Sequence, residues 1–335
     1  MKTKIAINGF GRIGRAAFRI LHDSDDVEIV AINDLTDNKT LAHLLKYDTV
    51  SGKFDGTVTL SDDGIEVNGK NYHILSNRNP GELPWQELGV DVVLECTGFF
   101  VKDGAAYAHI DAGAKRVILS APAKGDDTGT STHVLGVSEP DDASHTIISN
   151  ASCTTNSIAP VAQVMHETFG IEKALMTTIH SYTATQKLQD GPAKDLRKAR
   201  AAAQNIIPTT TGAAIATTKV IPELVGKFDG MAVRVPTING SLSDFTFVLS
   251  KEVTIEEVNN AFKEAASGKY RGILGVSDEP LVSTDYIGNP LSSTVDLPFT
   301  KVVGGDLVKV LAWYDNEWGY ANRLCDMAIR VGKMI

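Results

Sequence analysis

Three glycines, spaced as Gly9-Phe-Gly11-Arg-Ile-Gly14, constrain this chain more than any other feature because of what flanks them. Upstream, Lys4–Asn8 is a short apolar run of the kind that forms a buried strand. Downstream, Ile13, Ala16, Ala17, Ile20 and Leu21 recur at the spacing of one helix face. A glycine-rich turn from strand into helix leaves the first helical N–H groups unpaired, at the end where the helix dipole adds positive character. Such a turn is a cradle for phosphate. In a dinucleotide-binding turn the first glycine permits the sharp bend, the second lets the backbone approach a pyrophosphate, and the third lets helix and strand pack closely. Gly9, Gly11 and Gly14 occupy those three places, and Arg12 and Ile13 complete the candidate cofactor loop. Asp34 lies twenty residues after Gly14, at the end of a second strand-like run, Val27–Asn33. A carboxylate there accepts hydrogen bonds from a ribose diol and repels a 2′-phosphate, which points to NAD rather than NADP.

The first 150 residues alternate strand and helix, with further strands expected at Asp91–Thr97, Arg116–Ser120 and Thr146–Ser149. That alternation predicts a parallel sheet with helices on both faces. Thr36–Pro84 reads as an insertion, with turn signals at Asp55-Gly56, Asp63-Gly64 and Asn68-Gly69. Beyond Cys153 the texture changes. A helix-like segment, Thr154–Thr168, precedes strands at Ala174–Tyr182, Met231–Pro236, Ser241–Ser250 and Leu307–Tyr314. Thr254 and Glu257 form a capping-box pattern between two of them. The fold class is therefore α/β: a Rossmann-type parallel-sheet domain plus an α+β domain with a mostly antiparallel sheet, divided near residue 151.

Composition narrows the function. The 335 residues carry a formal net charge of −9, which argues against a nucleic-acid or anionic-membrane surface. No apolar run is long enough to span a bilayer, and the N-terminus lacks a signal-peptide layout. No metal-ligand spacing stands out. Three widely separated cysteines fit a reducing compartment, so a soluble cytoplasmic protein is expected. In a chain this acidic, any anionic ligand must be held by local devices such as helix N-termini and placed arginines.

Of the cysteines, Cys96 and Cys325 sit in apolar strand and helix patterns and read as small buried hydrophobes. Cys153 differs. Ser152 is a good N-cap, which places Cys153 in a first helical turn where backbone dipoles favour thiolate. Position alone leaves a structural and a catalytic reading open. Pro160 falls beyond the first turn and is expected to kink the helix. Eight histidines are present, and spacing selects none of them.

The segment Ser152–Pro160 (SCTTNSIAP) resembles the active-site segment of the phosphorylating, NAD-dependent glyceraldehyde-3-phosphate dehydrogenases of bacterial type. The resemblance covers essentially the whole chain: Ile7–Arg15, Asn33-Asp34, Asn205–Ala213, Met231–Pro236 and Trp313–Tyr320 follow in order, and Lys187–Arg200 resembles the family's S-shaped loop. It implies that Cys153 is the nucleophile and His180 its proton-transfer partner. Thr183, Arg197 and Arg234 would hold the phosphate of glyceraldehyde 3-phosphate. Ser152, Thr154, Thr211 and Gly212 would hold inorganic phosphate. Asn316, otherwise a candidate N-cap together with Asp315, would bind the nicotinamide carboxamide. The last helix would return to the cofactor domain, giving 1–151 with 317–335 as the NAD-binding domain and 152–316 as the catalytic one. Pro192 resembles NAD-specific members, and a homotetramer is implied. Ser157 stands where many members carry a second cysteine. The competing readings are erythrose-4-phosphate oxidation on the same scaffold, or an added surface-adhesin or RNA-binding role.

Overall fold

The computed structural model describes residues 2–125, 129–140 and 145–335. The chain divides into two units, one of Met1–His133, Glu139–Ser152 and Ala321–Ile335, the other of Val134–Ser138 and Cys153–Tyr320.

The first unit begins with β1 (Thr3–Asn8), α1 (Arg12–Leu21), β2 (Val27–Asn33) and α2 (Asn38–Lys46). A small ribbon, β3 (Tyr47–Asp48) and β4 (Gly52–Lys53), leads to β5 (Val58–Leu60), β6 (Gly64–Val67) and β7 (Lys70–Leu75). Then come α3 (Trp85–Leu88), β8 (Val92–Glu95), α4 (Tyr107–Asp111), β9 (Arg116–Leu119), β10 (Thr130–Thr132) and β11 (Ile147–Ser149). Nine strands form one sheet in the order β10-β11-β9-β8-β1-β2-β7-β6-β5. Pairing is parallel from β10 through to β7 and antiparallel at β7–β6–β5. All four residues of β8, Val-Val-Leu-Glu, are buried, as expected for a parallel strand covered on both faces. Thr36–Pro84 is thus more than an insertion: it supplies the strand that pairs with β2. Its hairpin turns at Asn68 (φ +52°) and Gly69 (φ +80°), the two left-handed residues a tight hairpin of this hand requires. The C-terminal segment from Ala321 belongs to this unit, where buried Cys325 places its Sγ 3.8 Å from the Ala17 carbonyl.

The second unit opens with α5 (Cys153–Phe169), followed by β12 (Ile171–Ser181), β13 (Ile207–Thr210), α6 (Ala213–Val220), β14 (Phe228–Val235) and β15 (Ser241–Leu249). It continues through α7 (Ile255–Ser267), β16 (Leu274–Ser277), β17 (Ser293–Asp296), β18 (Lys301–Val303), β19 (Leu307–Tyr314) and the start of α8 (Trp318–Gly332). The sheet order is β13-β14-β12-β15-β19-β17-β16, with β18 also on β19. Pairing is mostly antiparallel, with parallel pairs at β12–β14 and β16–β17. Burial alternates along β15, so Phe245 and Phe247 share one face and stack at 5.4 Å. Each contributes about 2–3 kcal/mol by leaving water. Thr254 and Glu257 form the expected capping box at the start of α7.

Pro160 does not end α5, which runs unbroken for 17 residues. A proline inside a helix costs about 3 kcal/mol. Thr154 to Ala162 are all buried, and that packing outweighs the lost backbone bond.

Candidate active site

The glycine loop is built as its sequence requires. Gly9 has φ +95°, and a Cβ there would fall 2.8 Å from the Thr97 nitrogen. A Cβ on Gly14 would fall 2.1 Å from the Gly9 carbonyl oxygen, so only hydrogen fits between α1 and the strand end. A Cβ on Gly11 would meet nothing within 4 Å, because this glycine faces an open cleft. Replacing Gly14 with alanine is expected to lower stability by about 1–3 kcal/mol, the usual cost of overpacking. The same change should weaken NAD binding; a thermal melt and a calorimetric NAD titration check both.

The cleft, about 550 Å³, lies outside the ends of β1 and β8, where the strand order reverses direction. Its lining includes Asn8, Gly9, Gly11, Asp34, Thr97 and Phe99. Asp34 is held by the Phe10 N–H, which donates to Oδ2 at 2.7 Å, and the Thr36 N–H, which donates to Oδ1 at 2.9 Å. An open glycine backbone beside a fixed carboxylate suits a dinucleotide: phosphate against the loop, ribose hydroxyls against Asp34. Arg12 is the first residue of α1, and its guanidinium forks onto the Asp48 carboxylate at 2.6 and 3.2 Å. Neither Arg12 nor Ile13 lines the cleft. Thr97, Phe99, Phe100 and Asn77 do, and sequence reading passed over them. The end of β8 was the available signal, since it faces the reversal point.

In the second unit, Cys153 is the first residue of α5. Its Sγ lies 3.5 Å from Nε2 of His180, which is buried near the end of β12. The parallel register of β12 and β14 pairs His180 with Arg234. Arg234 Nη1 lies 2.5 Å from His180 Nδ1 and donates to the Ser181 carbonyl at 3.0 Å; that carbonyl is itself 2.7 Å from Nδ1. Guanidinium only donates, so its bond to Nδ1 places the ring proton on Nε2, facing sulfur. With the proton on Nδ1 instead, His180 donates to Ser181 and its Nε2 lone pair faces the thiol. Below the pair, the Tyr314 hydroxyl bridges Thr154 Oγ1 (3.1 Å) and Thr178 Oγ1 (2.8 Å).

Burial pushes the Cys153 thiol above its ordinary range, while the Arg234 cation, the Thr154 hydroxyl and N–H, and its own N–H pull it back. The net direction is upward. Removal from water thus opposes the local dipoles that favour thiolate at a helix start. Burial, and then the Arg234 cation, push His180 down to about 3. Moving the thiol proton onto Nε2 charges both partners at once. Opposite charges 3.5 Å apart attract by about 5 kcal/mol at an effective dielectric of 20, which offsets part of the burial cost.

The other candidate residues are placed as follows. Ser152 immediately precedes α5. Thr183 Oγ1 is bonded to Thr185 Oγ1 at 2.9 Å. Arg197 lines a groove of about 490 Å³ with Thr209, Thr210, Gly230 and Met231. Thr211 Oγ1 accepts from the Ala213 N–H at 3.1 Å, and Gly212 is the N-cap of α6. Asp315, not Asn316, caps α8, its Oδ1 accepting from the Glu317 and Trp318 N–H groups at 2.8 and 2.7 Å. The Asn316 Oδ1 instead accepts from the Ser241 hydroxyl at 2.7 Å.

Residues 3–103 match the family model described as glyceraldehyde 3-phosphate dehydrogenase, NAD binding domain, and residues 152–316 match the model for its C-terminal domain. The chain belongs to the glyceraldehyde-3-phosphate dehydrogenase family. It is 56% identical over 328 residues to glyceraldehyde-3-phosphate dehydrogenase 1 of Bacillus cereus, covering 97% of each chain. It is 55% identical over 330 residues to glyceraldehyde-3-phosphate dehydrogenase of Geobacillus stearothermophilus, covering 98% of each. The second such enzyme of Streptomyces avermitilis is 54% identical over 338 residues, covering 100% of each. As a family member the chain is an NAD-dependent oxidoreductase, with a Rossmann-like sheet in its NAD-binding half. Among the described residues, no helix is long and apolar enough to cross a membrane.

Proposed function

We propose that this chain converts D-glyceraldehyde 3-phosphate and inorganic phosphate to 1,3-bisphosphoglycerate through a thioester on Cys153. The observation that carries the reading is the Cys153–His180–Arg234 cluster: a thiol, a base 3.5 Å away, and a cation for anionic substrate. His180, in the tautomer that leaves Nε2 unprotonated, takes the thiol proton as sulfur adds to the aldehyde carbon and returns it to the former carbonyl oxygen, giving the hemithioacetal hydroxyl and a neutral imidazole. The Cys153 backbone N–H supports the developing oxyanion. Neutral again, His180 removes the hemithioacetal hydroxyl proton as the carbon–hydrogen bond breaks, leaving the thioester. Bound NAD supplies the hydride acceptor; the open glycine loop and Asp34 would hold it, with Asn316 at its nicotinamide end. A phosphate oxygen then attacks the thioester carbon, the carbon–sulfur bond breaks, and Cys153 leaves as thiolate.

Arg234, Thr183 and Arg197 serve the substrate phosphate, while Ser152, Thr154, Thr211 and Gly212 serve the attacking phosphate. Arginine forks and hydroxyl or N–H donors suit phosphate oxygens. Arg234→Leu should raise KM for the phosphorylated aldehyde by about tenfold or more, the loss expected for a charge-assisted contact. It should also slow alkylation of Cys153 at neutral pH, because the cation that pulls the thiol down is gone; iodoacetamide kinetics read this.

Residues 1–151 with 317–335 form the NAD-binding domain and 152–316 the catalytic domain in this reading, supported by the two units and the two family-model ranges. A homotetramer is supported by apolar side chains left in water, among them Leu175, Leu188, Leu196, Ile215 and Val225. Three free thiols support a cytoplasmic setting. Ser157 Oγ is bonded to Ser293 Oγ at 3.2 Å, in the place of a second cysteine. Peroxide should therefore inactivate the enzyme without a disulfide between Cys153 and another cysteine of the chain, as mass spectrometry of the non-reduced digest will show.

The reading is tested by NADH formation from glyceraldehyde 3-phosphate, with phosphate supplied or withheld and erythrose 4-phosphate in parallel. Strong phosphate dependence and preference for the three-carbon aldehyde are expected. Equal turnover without phosphate, or preference for the four-carbon aldehyde, contradicts it.

A further inference from the structure

A buried carboxylate away from the catalytic cluster organises the cofactor cleft of the first unit. Glu95, the last residue of β8, is fully buried, and each group around its carboxyl is a donor. Oε1 accepts from the Thr97 N–H at 2.7 Å and from the Thr97 hydroxyl. Oε2 accepts from Asn8 Nδ2 at 2.5 Å and faces His109 Nε2 at 3.1 Å. The direction of this last contact is fixed from behind. Trp85 Nε1 can only donate, and it lies 2.9 Å from His109 Nδ1. Nδ1 therefore accepts, and the ring proton sits on Nε2, aimed at Glu95. Trp85 and His109 are both fully buried.

Two chains of hydrogen bonds run from Glu95 to the cleft wall. In one, Thr97 Oγ1 donates to Glu95 and accepts from the Phe99 N–H at 3.1 Å. This fixes the loop after β8 against Gly9, whose backbone leaves no room for a Cβ beside the Thr97 nitrogen. In the other, Asn8 Oδ1 accepts from Asn33 Nδ2 at 2.7 Å, and Asn33 Oδ1 accepts from the Asn77 N–H at 2.9 Å. Asn8, Asn33, Asn77, Thr97 and Phe99 all line the cleft. One carboxylate thus holds both walls.

We propose that Glu95, oriented by His109 and Trp85, is a positioning residue for NAD, acting through Thr97 and Asn8 without touching the cofactor. The proposal rests on assigning this cleft to NAD. An amide cannot replace the carboxylate, because its own N–H group would face the donors of Asn8, His109 or Thr97.

The test is a calorimetric NAD titration of the full-length wild type and of Glu95→Gln, Trp85→Phe, His109→Leu and His109→Gln, with a thermal melt and steady-state kinetics for each. Glu95→Gln and His109→Leu should raise Kd for NAD by about tenfold, the cost of leaving buried donors unpaired, and Trp85→Phe by about threefold. His109→Gln should recover most of the loss, since its amide accepts from Trp85 and donates to Glu95. At saturating NAD, kcat and the KM for aldehyde should be unchanged, which a general loosening of the fold would not allow. Variants that are folded at the assay temperature yet bind NAD like wild type overturn the proposal. If Glu95→Gln does not fold, Trp85→Phe and the His109 pair decide. Wild-type protein that binds no NAD overturns the cleft assignment instead.

Discussion

Cys153→Ser is expected to lower kcat/KM for the aldehyde by about 10⁴-fold or more while leaving NAD affinity unchanged. Sulfur is the atom the reaction needs. A thiol gives up its proton to a neutral imidazole far more readily than a hydroxyl does, and a serine ester would not return the oxidised carbon to phosphate as a thioester does. His180 stands 3.5 Å from sulfur and serves only a group at that position. Cys153 is also outside the unit that carries the glycine loop, so a calorimetric NAD titration of the variant should match wild type. Turnover within about tenfold of wild type would show that the covalent route is not used.

His180→Asn should lower kcat by about 10²–10⁴-fold, the range expected when a positioned base is lost. It should also move the pH at which Cys153 is alkylated. In the wild type, His180 can accept the thiol proton, and the resulting pair of charges offsets part of the cost of burial. In the variant, that cost falls on the thiolate alone, with Arg234 and the Thr154 hydroxyl as the remaining help. Since burial raises a thiol, the alkylation rate should rise at higher pH in the variant than in the wild type. Iodoacetamide kinetics across pH measure it, and coincident profiles would mean that His180 does not share the proton.

What could be seen in the sequence was local. The glycine loop, the alternation of β15 and β19, the capping box of α7 and the helix beginning at Cys153 each depend on residues within a few positions of one another. What could not be seen depends on pairing between distant segments. His180 is picked out among eight histidines by the β12–β14 register, which sets it beside Arg234 across more than fifty residues. The upward push on Cys153 depends on burial, which its neighbours in sequence do not reveal. Arg12 has a phosphate-facing place in the motif, yet Asp48 lies within reach and takes the guanidinium. Asp315 and Asn316 are both plausible caps by type; the β15 hydroxyl of Ser241 engages Asn316 and leaves the cap to Asp315. Glu95 looks like an ordinary end of a strand until its four donors are assembled around it.

In the proposed reaction the aldehyde carbon becomes an acyl group on Cys153. This step is tested most directly by mixing enzyme with NAD and glyceraldehyde 3-phosphate in phosphate-free buffer, quenching in acid, and mapping the digest by mass spectrometry. A phosphoglyceroyl group is expected on the peptide containing Cys153, absent in Cys153→Ser and lost when phosphate is added before the quench. An unmodified Cys153 peptide during NADH formation, or the acyl group on a different residue, would contradict it.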